Sequence, residues 1–168
     1  MTEPRHPALW VDADACPAVI REIILRAAER VGIATTFVAN QWIKLPASRF
    51  VQARQVQGGF DAADDWIVEQ VREGDFVVTQ DIPLAARVIE KGATAVGVRG
   101  ERFDAASIGA RLSMRNFMED LRGAGIDTVG PPPLHARDRA AFAAELDRWI
   151  LARSRRLAAV GAGGPKVG

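Results

Sequence analysis

A single cysteine, Cys16, stands in a chain of 168 residues. That excludes an internal disulfide framework and a zinc site built from cysteines. The two histidines, His6 and His135, are far in sequence from every aspartate group, so a histidine-rich zinc site has little support. No apolar stretch approaches the roughly 20 residues that span a bilayer, and MTEPRHPALW lacks the basic-then-apolar order of a secretory leader. A cytoplasmic protein with no membrane partner is the expectation. With 48% hydrophobic and 26% charged residues, the composition is that of an ordinary globular domain. One domain is expected over residues 1–156, with a disordered tail at 157–168 that lacks any core-forming pattern. The net charge is +1, unevenly placed: residues 1–98 carry 10 Lys and Arg against 13 Asp and Glu, and residues 99–168 carry 12 against 8. An acidic half folded against an Arg-rich half could hold cations beside bound phosphate, although scattered surface charge gives sums of this size too.

ALWVDA (8–13) is a short apolar run, and Pro17 opens a helical pattern in which Ile20, Ile23, Ile24, Ala27 and Val31 recur at i, i+3, i+4 spacing. Gly32 ends that helix, and IATTFVAN (33–40) predicts a second strand. A third strand is expected at 49–57, closed by Gly58 and Gly59. From Asp61 the pattern is helical again as far as Gly74, followed by a strand at 75–80, a helix at 83–92 and a strand at 93–98. This alternation predicts a three-layer α/β/α fold with a mainly parallel sheet. Beyond Gly100 the chain reads as helical, over 105–122 and 136–156, separated by the turn GAGIDTVGPPP.

In such sheets ligands bind at the carboxyl ends of the strands. Aspartates gather there. Asp12 and Asp14 end the first strand, Asp81 ends DFVVTQD, and Asp61, Asp64 and Asp65 open the helix after Gly59. Helix capping accounts for an aspartate such as Asp14 or Asp61, but not for Asp12, whose charge inside an apolar strand is costly unless paired or bound to metal. Carboxylates brought to one sheet edge repel one another, and a hard dication removes the repulsion. Mg²⁺ or Mn²⁺, sharing oxygen ligands with a substrate phosphate, fits this set of six.

VDADACP (11–17), VAN (38–40), FDAADDWIVEQV (60–71), GDFVVTQDIPLAARVIEKGA (74–93) and GERFDAASIGARLSMRNFMEDLRGAG (100–125) resemble the bacterial YaiI/YqxD family of uncharacterised proteins. The likeness runs over about residues 8–150. That family is grouped with PIN-like nucleases, and ADDWI followed by VVTQDIPLA is similar to the acidic helix and strand end of that wider class. The resemblance implies catalytic and metal-ligating roles for Asp12, Asp64, Asp65 and Asp81. Two departures stand out: Ala62 occupies the place of a glutamate in the flap-type helix, and Pro83 that of a second aspartate at the strand end.

Asn40, Lys44, Arg49, Thr79, Arg99, Arg102 and Arg115 are the candidate substrate-binding residues, since arginine's planar fork suits phosphate. Arginines on helical faces also pair with nearby carboxylates, which is the plainer reading of any one of them. Trp42, in the loop after the second strand, is expected to pack against its own domain, though single-strand binders use such aromatics to stack bases. Cys16 is expected to be a small buried residue. Together these residues predict a metal-dependent nuclease acting on RNA or DNA, RNA foremost. Two alternatives remain open: a haloacid-dehalogenase-type phosphatase with Asp12 as nucleophile, because DADAC has the Asp-x-Asp spacing, and a non-catalytic nucleic-acid-binding module.

Overall fold

The computed structural model describes residues 5–59, 61–125 and 133–162. Six strands form one sheet: β1 (Leu9–Asp12), β2 (Thr35–Ala39), β3 (Val51–Gln55), β4 (Phe76–Val78), β5 (Thr94–Val96) and β6 (Arg102–Phe103). Their spatial order is β3-β2-β1-β4-β5-β6. The first five pair in parallel, and β6 runs antiparallel to β5. Parallel strands buried on both faces are apolar throughout, which is why β2 and β4 lack an alternating pattern.

The helices are α1 (Ala18–Val31), α2 (Ala62–Gln70), α3 (Ile82–Glu90), α4 (Ile108–Gly123) and α5 (Ala136–Ala162). Leu9, Val11, Phe76 and Val78 point to the face covered by α1 and α5, where Ile20, Ile24, Phe142 and Leu146 meet them. Trp10 and Val77 point to the opposite face, against Ile67 of α2 and Leu84, Ala85 and Val88 of α3. The three-layer α/β/α arrangement read from the sequence is therefore present. Among the described residues no helix is long and apolar enough to cross a membrane.

Three details differ from the sequence reading. Helix α2 stops at Gln70, not near Gly74, because the Asp75 carboxylate accepts the Arg72 backbone N–H at 2.9 Å and draws the chain into a turn. A short strand, β6, lies where only helix was expected; two residues are too few to show a period. Gly100 makes it possible: its φ is +82°, and a Cβ there would come within 2.5 Å of the Ala141 backbone carbonyl carbon. Helix α5 continues to Ala162, so residues 157–162, read as tail, are helical; 163–168 lie outside the described residues. The turn GAGIDTVGPPP lies largely outside them too, at 126–132.

Asp75 ties the amino ends of β1 and β4 together. It is fully buried, and its carboxylate accepts hydrogen bonds from Ala8 N at 2.9 Å, Trp10 Nε1 at 2.9 Å and both Arg5 terminal nitrogens at 3.2 and 2.6 Å, besides Arg72 N. Nothing in the sequence pattern singles it out.

Candidate active site

The strand order reverses direction between β1 and β4, where α1 leaves on one face and α3 on the other. Such a switch point opens a crevice at the carboxyl ends of the two strands. Register decides what lines it. Val11 pairs with Val78, so the next residues, Asp12 and Thr79, stand side by side. Both follow the parity of Trp10 and Val77 and therefore face the α2/α3 side.

The Thr79 hydroxyl donates to Asp12 Oδ2 at 3.0 Å and accepts the Asp81 backbone N–H at 3.0 Å. One hydroxyl thus bridges the two acidic loops. Asp81 is the N-cap of α3: its Oδ1 accepts the Leu84 N–H at 2.9 Å, with Pro83 pre-set for the first helical turn. Capping uses one oxygen. Asp64, from the first turn of α2, lies across the crevice within electrostatic reach of Asp81 and Asp12.

The charges bear on one another. Burial is the main cause that raises the Asp12 pKa above the ordinary carboxylate range; the Thr79 hydroxyl opposes it, and Asp81 and Asp14 add to it. For Asp64, burial first, then the charges of Asp81, Asp12 and Asp61 lift it to about 7. Carboxylates that raise one another's pKa in this way are relieved by a proton or by an oxyphilic cation.

Asp12, Asp64, Thr79 and Asp81 are thus brought together, with Asp14 and Asp61 within electrostatic reach. Asp61 occupies the N-cap position of α2 without capping it, and Asp14 caps nothing: its Oδ2 accepts the Asn40 backbone N–H at 2.9 Å, tying the end of β2 to the crevice. Asp65 is set apart, paired with Arg87 of α3 at 2.8 Å. Among the basic candidates, Lys44 and Arg49 lie in the loop after β2, Arg49 over the Phe50 ring. The others are engaged elsewhere. Arg99 pairs with Asp138 of α5, Arg102 lines a cleft with Glu145 and Arg148, and Arg115 pairs with Glu119 within α4.

Cys16 is buried, and burial pushes its thiol up to about 12; Arg21 opposes this and Asp12 adds to it, so the thiol stays protonated. Gln80, passed over in the sequence, holds the end of β5 by accepting the Val98 N–H at 2.9 Å. Only its place between Thr79 and Asp81 hinted at this. Trp42, expected to be packed, is 71% exposed.

The fold and these side chains define a doubly wound α/β domain with an acidic crevice at its switch point. The chain belongs to the YaiI/YqxD family: the model described as "Uncharacterized BCR, YaiI/YqxD family" matches residues 10–152. It is 62% identical to the UPF0178 protein of Xanthomonas campestris pv. campestris strain 8004 over 159 residues, 93% of this chain and 99% of that one. It is 64% identical to the UPF0178 protein of Xanthomonas oryzae pv. oryzae strain PXO99A over 152 residues, 90% and 94% of the two chains. A Klebsiella pneumoniae UPF0178 protein, KPN78578_03210, is 56% identical over 149 residues, 89% and 98% of the two. No solved structure gives a significant match.

Proposed function

We propose that this protein is a PIN-like, Mg²⁺- or Mn²⁺-dependent nuclease of the cytoplasm that hydrolyses phosphodiester bonds of RNA or DNA. The observation that carries the reading is the Thr79 hydroxyl joining the Asp12 carboxylate to the Asp81 loop at the switch point, with Asp64 within electrostatic reach of both. Among the described residues no group of three or more Asp, Glu, His or Cys side chains is arranged to hold a metal ion. Mg²⁺ does not require that, since it keeps several waters and binds through one or two carboxylates plus substrate phosphate. The donors are hard oxygens, the chemistry such ions prefer.

Two of Asp12, Asp64 and Asp81 would hold the ion, with water and substrate phosphate completing its shell; when bound it would activate a water and stabilise the leaving oxygen. The protein's own part is positional. Thr79 fixes the Asp12 carboxylate, the α3 cap fixes Asp81, and α2 brings Asp64 to face them. The phosphatase reading needs Asp14 free as a proton donor beside Asp12, and the bond from Asn40 N–H to Asp14 tells against it. Hydrolysis of labelled single-stranded or structured RNA and DNA with Mn²⁺ tests the proposal. Cleavage confined to phosphomonoesters would favour the phosphatase, and metal binding without any hydrolysis the binding module.

Two further outcomes are expected of the metal-free protein. Asp12→Asn should leave its melting temperature unchanged or raise it, because asparagine keeps an acceptor for Thr79 and removes a buried charge that its neighbours repel. A clear loss of melting temperature in chelator would make Asp12 a structural residue. The second concerns pH. Asp64 has a raised folded-state pKa, so its contribution to stability is full below the unfolded value of 3.8 and is lost as pH rises through about 7. Melting temperature in chelator should therefore carry a falling component across that window, and Asp64→Asn should flatten it. An unchanged slope in the variant would refute the assignment.

A further inference from the structure

Trp42 is 71% exposed, and among the described residues it makes no hydrogen bond or ring contact. A tryptophan left so bare forgoes the burial that its large ring ordinarily contributes. The start of its loop is nevertheless held. Asn40 donates its N–H to Asp14 and accepts at its carbonyl from Gln55 Nε2 at 3.3 Å, which pins the loop between the acidic turn and the end of β3. Further on, Ile43 and Leu45 pack against the core on the α1 side, while Trp42 and Lys44 are exposed. The indole and the ammonium of this loop are both left to solvent.

We propose that Trp42 is a stacking platform for an unpaired base of single-stranded nucleic acid whose backbone continues into the aspartate crevice. The proposal rests on the nuclease reading for what occupies the crevice. Two extended residues span at most about 7 Å, so Trp42 stands close to Asn40, whose N–H touches Asp14, itself two residues from Asp12. Sequence-tolerant single-strand binders combine an aromatic face with nearby cations, here Lys44 and Arg49 of the same loop. The flanking Asn40, Gln41 and Lys44 are polar and exposed, unlike the apolar core of a protein interface. In a duplex the bases are already stacked on one another and leave no face for the indole.

The test uses the full chain carrying Asp81→Asn, in Mg²⁺, with fluorescein-labelled ten-nucleotide strands read by anisotropy. Added Trp42→Ala should weaken single-strand binding by about 5- to 150-fold, the loss of one stacked base. Trp42→Phe should stay within a few-fold of the parent, and duplex binding should not change with either. Equal single-strand affinity with and without Trp42, or no single-strand binding by the parent, would overturn the proposal. So would a dimer that dissociates on Trp42→Ala, seen by light scattering, since a second copy would then be what covers the ring. Cleavage by the wild type is read separately. Trp42-dependent binding without cleavage removes the nuclease reading and upholds the platform; cleavage with Trp42-independent binding does the reverse.

Discussion

Replacing Asp75 by alanine is expected to destabilise the protein by about 3–5 kcal/mol, the usual cost of removing one partner from a buried ion pair. For a chain of this size each kcal/mol corresponds to roughly 2–4 °C, so the melting temperature should fall by on the order of 10 °C. The reason is what the carboxylate leaves behind. Arg5 loses both of its bonds to the carboxylate, the Trp10 indole N–H loses its acceptor inside the sheet, and the Ala8 and Arg72 backbone N–H groups lose theirs. Buried donors without partners cost more than the net worth of the bonds themselves. Asp75→Asn should fall between, since an amide retains one acceptor oxygen but cannot answer the Arg5 charge. A loss of under about 1 kcal/mol for the alanine variant, measured by denaturant titration, would show that Arg5 and water replace the network readily.

Asp81→Asn should reduce Mn²⁺-dependent cleavage by about a thousandfold or more while leaving the fold intact. Loss of an anionic ligand removes several kcal/mol of charge stabilisation, and each 1.36 kcal/mol is a factor of ten in rate. Stability is spared because asparagine is as good an N-cap as aspartate and keeps the bond from Leu84 N–H. The pairing of unchanged melting temperature with lost activity is what sets Asp81 apart from Asp75. Arg115→Ala, by contrast, should alter cleavage little, because that side chain is engaged with Glu119 on α4. Near-normal cleavage by Asp81→Asn would remove Asp81 from the chemistry.

The elements and the acidic edge were legible because local signals agree: Pro17 and Gly32 bracket α1, apolar runs mark the strands, and Asp12 is a charge where a strand should have none. Which aspartates meet was less legible. Asp64 and Asp65 differ by one residue, yet a helix turns about 100° between them, and tertiary packing sends one to Asp81 and the other to Arg87. Thr79 could be named as a candidate, but its place between Asp12 and Asp81 depends on the β1–β4 register, which no local pattern encodes. Asp75 escaped notice for the same reason: its partners lie at residues 5, 8 and 10. Trp42 was misjudged because burial statistics for tryptophan outweigh any single loop, and only the inward packing of Ile43 and Leu45 explains why the ring is left outside.

The switch point also governs how the chain assembles. β1 and β4 are neighbours at the middle of the sheet, yet β1 ends at Asp12 and β4 begins at Phe76, with two strands and two helices between them. As the chain leaves the ribosome, β1, α1, β2 and β3 can gather while one edge of β1 still has no neighbour. That open edge is a template for pairing with other chains until β4 docks. Closing it means bringing together segments distant in sequence, which is entropically slow, so the centre of the sheet is sealed late and the Asp75 clasp with it.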